Sequence, residues 1–309
     1  MTIEIKKFGE FDGAPIWCAA LCSNEMTVEV INFGAITKSI RFGQQNFILS
    51  YDDLQGYIAD KNHLGVIAGR VANRTANGKF SLNGETYQLE CNDGENHLHG
   101  GSNGFGRSVW NLEKDSENNA ILLHHHSPNM DAGYPESVNV TLKLSLNNST
   151  LTYDFFAKPS GETPINLAQH NYYNLGGNLS DHHLQLQATG LCEVTDTLIP
   201  TGEISPISKN MFTNLGQTNI DHNFVLKQND QPSAILYGKH ATMELHTDQP
   251  GLQVYTGHGL SEPFSPNDGI CLEPQYFPDC LNQPNFQTCI HSPDLPYSQK
   301  TTLAFSQPK

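Results

Sequence analysis

A period of two in hydrophobic and polar residues marks several stretches of the chain. Val140, Leu142, Leu144 and Leu146 are apolar and alternate with polar residues at the positions between them. Successive side chains of a strand point to opposite faces, so this pattern predicts a β-strand with one face in a core and one in water.

A second signal is the Asn83-Gly84 pair inside KFSLNGETYQL, residues 79–89. Asn-Gly readily adopts the positive φ angles of a tight hairpin turn, so two strands are predicted on either side of it. Similar short runs occur at 27–42, 151–157, 183–190, 223–228, 241–247 and 252–257, and we find no long amphipathic helical stripe. The pattern predicts stacked antiparallel sheets with few short helices, in one all-β domain spanning residues 1–309.

Charge and composition narrow the classes of partner. The 309 residues carry a formal net charge of -15, and only 16% of them are charged. Nucleic acids and anionic membranes are bound by clustered Lys and Arg, so neither is expected as a partner and a neutral small molecule fits better. The chain is expected to be a monomer or homodimer.

The cysteines and the N-terminal residues bear on location. There are seven cysteines, an odd number without a Cys-x-x-Cys pair, which favours neither a disulfide framework nor a zinc ribbon. The start TIEIKKFGEF lacks the pattern of a signal peptide, and no apolar run of about 18 residues occurs. These features predict a cytoplasmic protein.

The segment ENHLHGGSNGFG, residues 95–106, places His97 and His99 two residues apart. On a strand the two rings would point to the same face and could share a metal ion. His-x-His metal sites of the cupin type have a glutamate a few residues later, whereas glycines, Ser102 and Asn103 follow here. The spacing of the glycines also differs from that of a dinucleotide cradle, so neither a metal nor a nucleotide is expected.

Several further polar residues occur where a ligand would use them. His170 stands among amides and aromatic rings in TPINLAQHNYYNLGG (163–177), Glu273 interrupts the apolar run GICLEPQ, Asp221 precedes a predicted strand, and GRVANR (69–74) contains arginines. A lone Glu or Asp in such a place is often a solvated strand end or a turn residue. Taken together, these residue types suit a neutral polyhydroxylated ligand, and His170 could transfer a proton at neutral pH.

Eight segments in order resemble the aldose 1-epimerases, the galactose mutarotases. They cover the chain from near residue 30 almost to its C-terminus, and the ordered set is far more specific than any one segment. The segments are GVIAGRVANRTANGKFSLNG (65–84), ENHLHGGSNGFGRSVW (95–110), SPNMDAGYPESVNVTLKLSL (127–146), TPINLAQHNYYNLGG (163–177), LIPTGEI (198–204), NIDHNFVL (219–226), PGLQVYTG (250–257) and CLEPQYFPDCLNQPNF (271–286).

The resemblance implies a large β-sandwich that interconverts the α and β anomers of a free hexose without cofactor or metal. By position in its motif, Glu273 would be the general base for the C1 hydroxyl, and His170 the general acid for the ring oxygen. His99 would support charge on the ring oxygen. The resemblance assigns substrate binding to Asn73, Arg74, Tyr172, Asp221, Gln253 and Tyr255.

Three departures from the family pattern lie beside these positions. Ala168-Gln169 stands where Thr-Asn is more usual, Pro274 where Thr is common, and Gly106 where Asp is common. They bear on the preferred sugar more than on the reaction. The main alternative is a non-catalytic sugar-binding or sensing protein of the same fold; an enzyme for phosphorylated sugars and a metal-dependent isomerase are further rivals.

Overall fold

Both local predictions are confirmed in the computed structural model, which describes residues 3–308. The strand expected around Val140 spans Val138–Asn147, with side chains alternately buried and accessible. The hairpin has strands Lys79–Leu82 and Glu85–Gln88, joined by Asn83 and Gly84 at φ angles of +54° and +83°. Such positive angles match the right-handed twist of the flanking strands.

Short strands dominate the described part of the chain. The first fourteen are β1 (Ile3–Phe11), β2 (Ala14–Cys22), β3 (Met26–Ile31), β4 (Thr37–Phe42), β5 (Gln45–Asn46), β6 (Ile67–Ala68), β7 (Arg74–Thr75), β8 (Lys79–Leu82), β9 (Glu85–Gln88), β10 (His97–Leu98), β11 (Asn111–Asp115), β12 (Ala120–Ser127), β13 (Val138–Asn147) and β14 (Thr150–Pro159). The others are β15 (Thr163–Pro164), β16 (Ala168–Gln169), β17 (Tyr172–Tyr173), β18 (His183–Leu186), β19 (Ala188–Val194), β20 (Pro200–Pro206), β21 (Met211–Thr213), β22 (Asp221–Leu226), β23 (Ala234–Tyr237), β24 (Thr242–Thr247), β25 (Gly251–Tyr255), β26 (Ile270–Gln275), β27 (Ile290–His291) and β28 (Tyr297–Ser306).

Helical structure within residues 3–308 is slight, as predicted. The α-helix α1 (Leu54–Ala59) is six residues long, and its first turn is capped by the Asp53 side chain, which accepts a hydrogen bond from the Gly56 N–H. Five single 3₁₀ turns complete the helical content, at Ala76–Gly78, Phe105–Arg107, Asp131–Gly133, Leu179–Asp181 and Leu215–Gln217. None of the helices described is long and apolar enough to cross a membrane.

Three antiparallel sheets carry most of the architecture. The largest has nine strands in the order β11-β12-β13-β14-β28-β24-β23-β18-β21, the second has six in the order β17-β26-β25-β22-β19-β20, and the third has five, β1 to β5 in sequence. Four two-stranded ribbons pair β7 with β10, β6 with β16, β8 with β9 and β15 with β27. Ribbons β7/β10 and β6/β16 lie close in sequence to the histidines considered below.

The main hydrophobic core lies between these sheets. It combines Phe155 and Leu245 of the nine-stranded sheet, Leu252 of the six-stranded sheet, and Val28 and Ile40 of the five-stranded sheet, all fully buried. Burying each such side chain contributes about 1.5–3 kcal/mol. The predicted all-β fold of stacked antiparallel sheets is therefore confirmed.

Two of the predicted strand runs each contain two strands. The run 27–42 turns through Asn32 to Ile36 between β3 and β4, with Gly34 at φ +63°. The run 183–190 passes from β18 in the nine-stranded sheet to β19 in the six-stranded sheet. The connection at Asn32 to Ile36 is buried and mostly apolar, and the other connection is the single residue Gln187, so periodicity alone revealed neither.

Candidate active site

The six-stranded sheet has one apolar face and one polar face. Leu252 and Val254 of β25, with Leu272 of β26, belong to the main core. The intervening residues of the same strands point the other way, and Gln253 is paired directly opposite Glu273. Directly paired residues of antiparallel strands project their side chains to the same face. The alternation that builds the core therefore also places a buried carboxyl beside a buried amide.

The pairing of residues between neighbouring strands extends this polar face across the sheet. Asp221 of β22 is paired with Tyr255 of β25, and Tyr255 is in turn paired with Cys271 of β26. Gln253 donates a hydrogen bond from Nε2 to Asp221 Oδ1 over 2.7 Å, which fixes the carboxylate at the edge of the polar face. On the other side of β26, Tyr172 of β17 is paired with Cys271.

His170 is held above this face by its backbone and by Gln169. Its N–H donates to Val66 O, and its carbonyl accepts from Gly65 N, both over 2.9 Å. The buried side chain of Gln169 donates to Leu272 O over 2.8 Å and accepts from Tyr173 Oη over 3.1 Å. Gln169, one of the departures from the family pattern, thus links the segment carrying His170 to the strand carrying Glu273.

The ribbon of β7 and β10 brings a third group of residues to the site. Leu98 is paired with Arg74, which places Asn73 beside His99. The Asn73 N–H donates to His99 Nδ1 over 3.2 Å, so Nδ1 carries no proton and Nε2 is left for other partners. Arg74 is oriented by Asp93, whose Oδ2 accepts from Arg74 Nε over 2.8 Å.

All nine predicted site residues line one cavity of about 210 Å³. This volume is below the range of about 300–1,000 Å³ typical of sites for drug-sized ligands, and it suits a small molecule. A wider, open groove of about 650 Å³ adjoins the cavity at Arg74. The cavity is lined by Lys61, Asn62, His63, Asn73, Arg74, Leu98, His99, His170, Tyr172, Asp221, Gln253, Tyr255, Gly259 and Glu273.

Glu273 and His170 are the central titratable pair of the cavity. Glu273 Oε1 lies 3.8 Å from His170 Nε2, and the side chains are 2% and 6% exposed. Burial, reinforced by the charge of Asp221 and opposed by Arg74, raises the pKa of Glu273 well above its usual value. Burial, reinforced by His63, lowers the pKa of His170 to about 3. Both side chains therefore favour their uncharged forms.

The other titratable groups respond to the same burial. The pKa of His99 is lowered well below its usual value, mainly by burial and next by His63 and His170. The pKa of Asp221 is raised by burial, with Arg74 acting in the opposite direction. Perturbed groups gathered in one cavity are typical of a catalytic or binding site.

Unpaired acceptor atoms show what the cavity lacks. Glu273 Oε2 and Gln253 Oε1 are buried without a hydrogen-bond partner among residues 3–308. Buried polar atoms are normally paired, so these two oxygens call for hydrogen-bond donors from a bound molecule. Hydroxyl groups of a ligand are donors of this kind.

Comparison with known proteins identifies the family. The sequence profile described as Aldose 1-epimerase matches residues 18–304 of this chain. The chain belongs to the aldose 1-epimerase family. The galactose mutarotase of Bos taurus is 33% identical to it over 319 residues, which cover 93% of each protein. The aldose 1-epimerase of Haemophilus influenzae is 29% identical over 320 residues, covering 92% of this chain and 94% of that protein.

Solved structures agree with this placement. The crystal structure of galactose 1-epimerase from Lactobacillus acidophilus superposes with a TM-score of 0.91 at 25% identity, over 100% of this chain and 99% of that one. An aldose epimerase homologue from C. elegans superposes with a TM-score of 0.89 at 22% identity, over 94% and 98% of the two chains, and shows the same fold.

The idea that His97 and His99 share one face is wrong for this epimerase. Strand β10 ends at Leu98, and His99 adopts a left-handed backbone with φ +54°, so the two rings diverge. His97 Nδ1 is 2.7 Å from Glu90 O, and its Nε2 is 2.8 Å from Tyr134 Oη, outside the cavity. Within residues 3–308, the group that could hold a metal is instead His99, His170 and Glu273, whose ligand atoms lie within 4.8 Å of one another.

Sequence reasoning missed His63 as a lining residue of this epimerase cavity, and it missed the contacts that Cys271 and Gln169 make beside it. His63 lies on the loop before the GVIAGR motif and lines the cavity. In the sequence, the presence of a histidine at this position was the indication of a role in the site. Cys271 Sγ lies 3.6 Å from His170 Nδ1, and its position two residues before Glu273 on one strand could have indicated the shared face. Gln169 connects two strands through its side chain, which a sequence without a structure does not reveal.

Proposed function

We propose that this epimerase interconverts the α and β anomers of free hexoses such as D-galactose or D-glucose by acid–base ring opening and closure. One observation carries the proposal: a carboxyl oxygen of Glu273 and a ring nitrogen of His170 lie 3.8 Å apart in one small buried cavity. Ring opening removes a proton from the C1 hydroxyl and delivers one to the ring oxygen, and such a pair can do both.

In the proposed cycle, ionised Glu273 takes the proton of the C1 hydroxyl while protonated His170 gives its proton to the ring oxygen. The C1–O5 bond breaks, and the electron pair of the C1 oxygen forms the aldehyde carbonyl. Rotation about C1–C2 then presents the other face of the aldehyde. Ring closure reverses both transfers, so Glu273 returns its proton and His170 recovers one.

The charge preferences of the two side chains fit the open-chain stage of this cycle. Burial favours a protonated Glu273 and a neutral His170. That is the proton distribution that ring opening produces. Before ring opening the two side chains hold the same number of protons, but the proton lies on His170 instead of Glu273. The cycle therefore needs no proton from solvent. Hydroxyl groups of the sugar would stabilise the charged distribution through the unpaired Glu273 Oε2.

His99 is assigned a third catalytic role, and the other predicted residues are assigned to binding. His99, with Nδ1 occupied by Asn73, offers Nε2 to support charge on the ring oxygen. Asn73, Arg74, Asp221 and Gln253 would bind hydroxyl groups through their side-chain polar atoms.

Two tyrosines would flank the sugar. Tyr172 Oη donates to Asn62 O over 2.9 Å, and Tyr255 Oη accepts from Gly259 N over 2.8 Å. Because these hydroxyls already have partners, the tyrosines would present ring surfaces to the apolar side of the sugar.

Polarimetry tests the proposal directly. Freshly dissolved α-D-galactose and α-D-glucose are followed to equilibrium alone, with the wild type, and with Glu273→Gln and His170→Asn. We expect the wild type to accelerate the change, and each substitution to lower kcat by about 10²- to 10⁴-fold, the usual contribution of one proton transfer. Glu203→Gln, on an exposed position of β20, is the matched control and should keep the wild-type rate.

Isothermal titration calorimetry on the same variants separates catalysis from binding. Glu273→Gln should still bind galactose, because the other polar groups of the cavity remain. Near wild-type rates in both site variants would contradict the assigned roles. Sugar binding by a wild type that never accelerates mutarotation would instead favour the non-catalytic sugar-binding alternative.

The proposal includes three broader expectations. A single domain over residues 1–309 is supported by a main core that runs from Ala19 to Phe305, and coincident urea transitions by two spectroscopic probes would test it.

A cytoplasmic location is supported by seven cysteines that are all free. Sedimentation analysis would distinguish monomer from homodimer.

A further inference from the structure

His63 stands on a loop that several contacts hold in place. The Asp60 carboxylate accepts hydrogen bonds from Asn62 N over 2.9 Å and from Leu64 N over 2.7 Å. The backbone carbonyl of Asp60 accepts from Arg107 Nη2 over 2.7 Å. Tyr172, itself a cavity residue, donates to the Asn62 carbonyl. Hydrogen bonds to Asp60, Arg107 and Tyr172 therefore hold the loop in place.

The backbone of His63 itself is in a costly conformation. Its φ is +59°, in the left-handed region that non-glycine residues seldom adopt. That conformation costs about 1–2 kcal/mol for an L-residue, and it persists where the surrounding structure imposes it. Two further cavity residues, Asn73 at φ +63° and His99 at φ +54°, share this conformation. The directions of three cavity side chains are thus set by a left-handed backbone conformation.

The His63 ring completes an imidazole wall on one side of the cavity. Its centroid lies 4.8 Å from that of His99 and 5.8 Å from that of His170. The His99 and His170 centroids are 5.1 Å apart, so the three rings contact one another. His63 therefore occupies the same wall as the proposed acid and the residue supporting it.

The nitrogens of His63 distinguish it from the structural histidines of this chain. His97 uses both ring nitrogens, with Glu90 O and Tyr134 Oη, and His182 uses both, with Asn178 O and Leu175 N. Neither nitrogen of His63 has a hydrogen-bond partner within residues 3–308, and the half-buried ring lines the cavity. A neutral imidazole left in this way offers one donor and one acceptor, which a hydroxyl group can match.

We infer that His63 is a further sugar-binding and specificity-determining residue, which hydrogen-bonds one hydroxyl of the bound hexose from the imidazole wall. This inference rests on the proposed mutarotase function and extends it to a residue outside the motifs that carry the family resemblance. A site built to bond a hydroxyl discriminates against a sugar that lacks it, because the polar group of the protein is then left unpaired.

The test combines variants of His63 with deoxygenated sugars. His63→Phe keeps a ring against His99 and His170 but removes both nitrogens. His63→Asn tolerates the left-handed backbone, and its shorter side chain withdraws the polar atoms from the cavity. His183→Phe, at an exposed position of β18, is the control. Mutarotation is measured with D-galactose and with its 2-, 3-, 4- and 6-deoxy analogues, and melting curves confirm folding.

We expect both His63 variants to lower kcat/KM for galactose by about two- to tenfold, mainly through KM, as for one lost hydrogen bond. One deoxy analogue should be insensitive to the substitutions, and the missing hydroxyl identifies the group that His63 contacts. The control should match the wild type with every sugar.

Two results would overturn the inference while leaving the mutarotase function intact. One is an active wild type whose kinetics are unchanged in both His63 variants. The other is an equal loss with galactose and with all four analogues, which would indicate a role other than contact with a hydroxyl. A wild type without mutarotase activity on any of these sugars would count against the proposed function itself.

Discussion

His97 and His99 are two residues apart in the chain but lie in separate environments. The His97 ring is enclosed between Glu90 O and Tyr134 Oη, with 0% exposure, whereas the His99 ring lines the sugar-sized cavity beside His170. The left-handed backbone of His99 separates the two rings. His97 is therefore a structural histidine, whereas His99, two residues later, belongs to the candidate site.

Substituting these two histidines should give opposite results. His97→Leu leaves the Tyr134 hydroxyl buried without its partner, so we expect a loss of about 1–3 kcal/mol in stability, with kcat/KM of the folded protein largely kept. His99→Leu should reduce kcat/KM at least tenfold while melting close to the wild type. Urea denaturation and polarimetry on both variants check this, and equal effects of the two on kcat/KM would contradict it.

The pH dependence of activity should lack the usual histidine inflection. Burial lowers the pKa of His170 to about 3 and that of His99 well below its usual value. Neither ring then gains a proton as the pH falls through about 6.5, the ordinary histidine value. We expect His99 and His170 to contribute no inflection to the pH profile of kcat/KM in that region, where a raised pKa of Glu273 is the remaining source of one. Imidazole NMR signals of either histidine that titrate near 6.5 would contradict this expectation.

The lowered pKa of His170 also makes the stability of the fold depend on pH. The unfolded chain takes up a proton on His170 near its ordinary pKa, whereas the folded chain does so only near pH 3. Between these values the unfolded state binds more protons, so stability contributed by this histidine is present above about pH 6.5 and lost on acidification. Urea midpoints should therefore fall less on acidification in His170→Asn than in the wild type.

The two arginines of GRVANR should differ in what they support. Arg70 is 2% exposed and donates from Nη1 to the carbonyls of Pro135 and Glu136 over 2.7 and 2.8 Å. Arg70→Met should therefore destabilise the fold by about 1.5–3 kcal/mol, the range for hydrogen bonds of a charged group. Arg74 faces the cavity and is paired with the partly exposed Asp93. Arg74→Met should raise KM and cost less than about 1 kcal/mol of stability. Calorimetric melting and polarimetry distinguish the two.

Removal of metal ions should leave the reaction unaffected. The side chains with ligand atoms within 4.8 Å of one another are His99, His170 and Glu273. His170 and Glu273 carry the proposed proton transfers, and His99 supports charge on the ring oxygen. A divalent ion bound there would occupy the lone pairs that these roles need. We expect full activity after dialysis against EDTA, and inhibition on adding excess zinc. Loss of activity with EDTA and recovery with a metal would instead favour the metal-dependent isomerase.

Much of the fold followed from local patterns. The alternation around Val140 and the Asn83-Gly84 turn each predicted an element that is present. Such features depend on neighbouring residues alone, so they can be read without a structure. The runs 27–42 and 183–190 hid turns, because the first connection is buried and mostly apolar and the second is the single residue Gln187.

The sequence by itself determined the fold class, the family resemblance and nine candidate site residues, all of which line one cavity. These conclusions rested on residue order, which local periodicity and motifs express directly. The tertiary structure decided how the His97 and His99 rings are separated, how Gln169 connects His170 to the strand of Glu273, and that His63 joins the cavity. Those relationships depend on strand register and on left-handed turns that bring distant segments together, and the spacing of residues along the chain does not contain them.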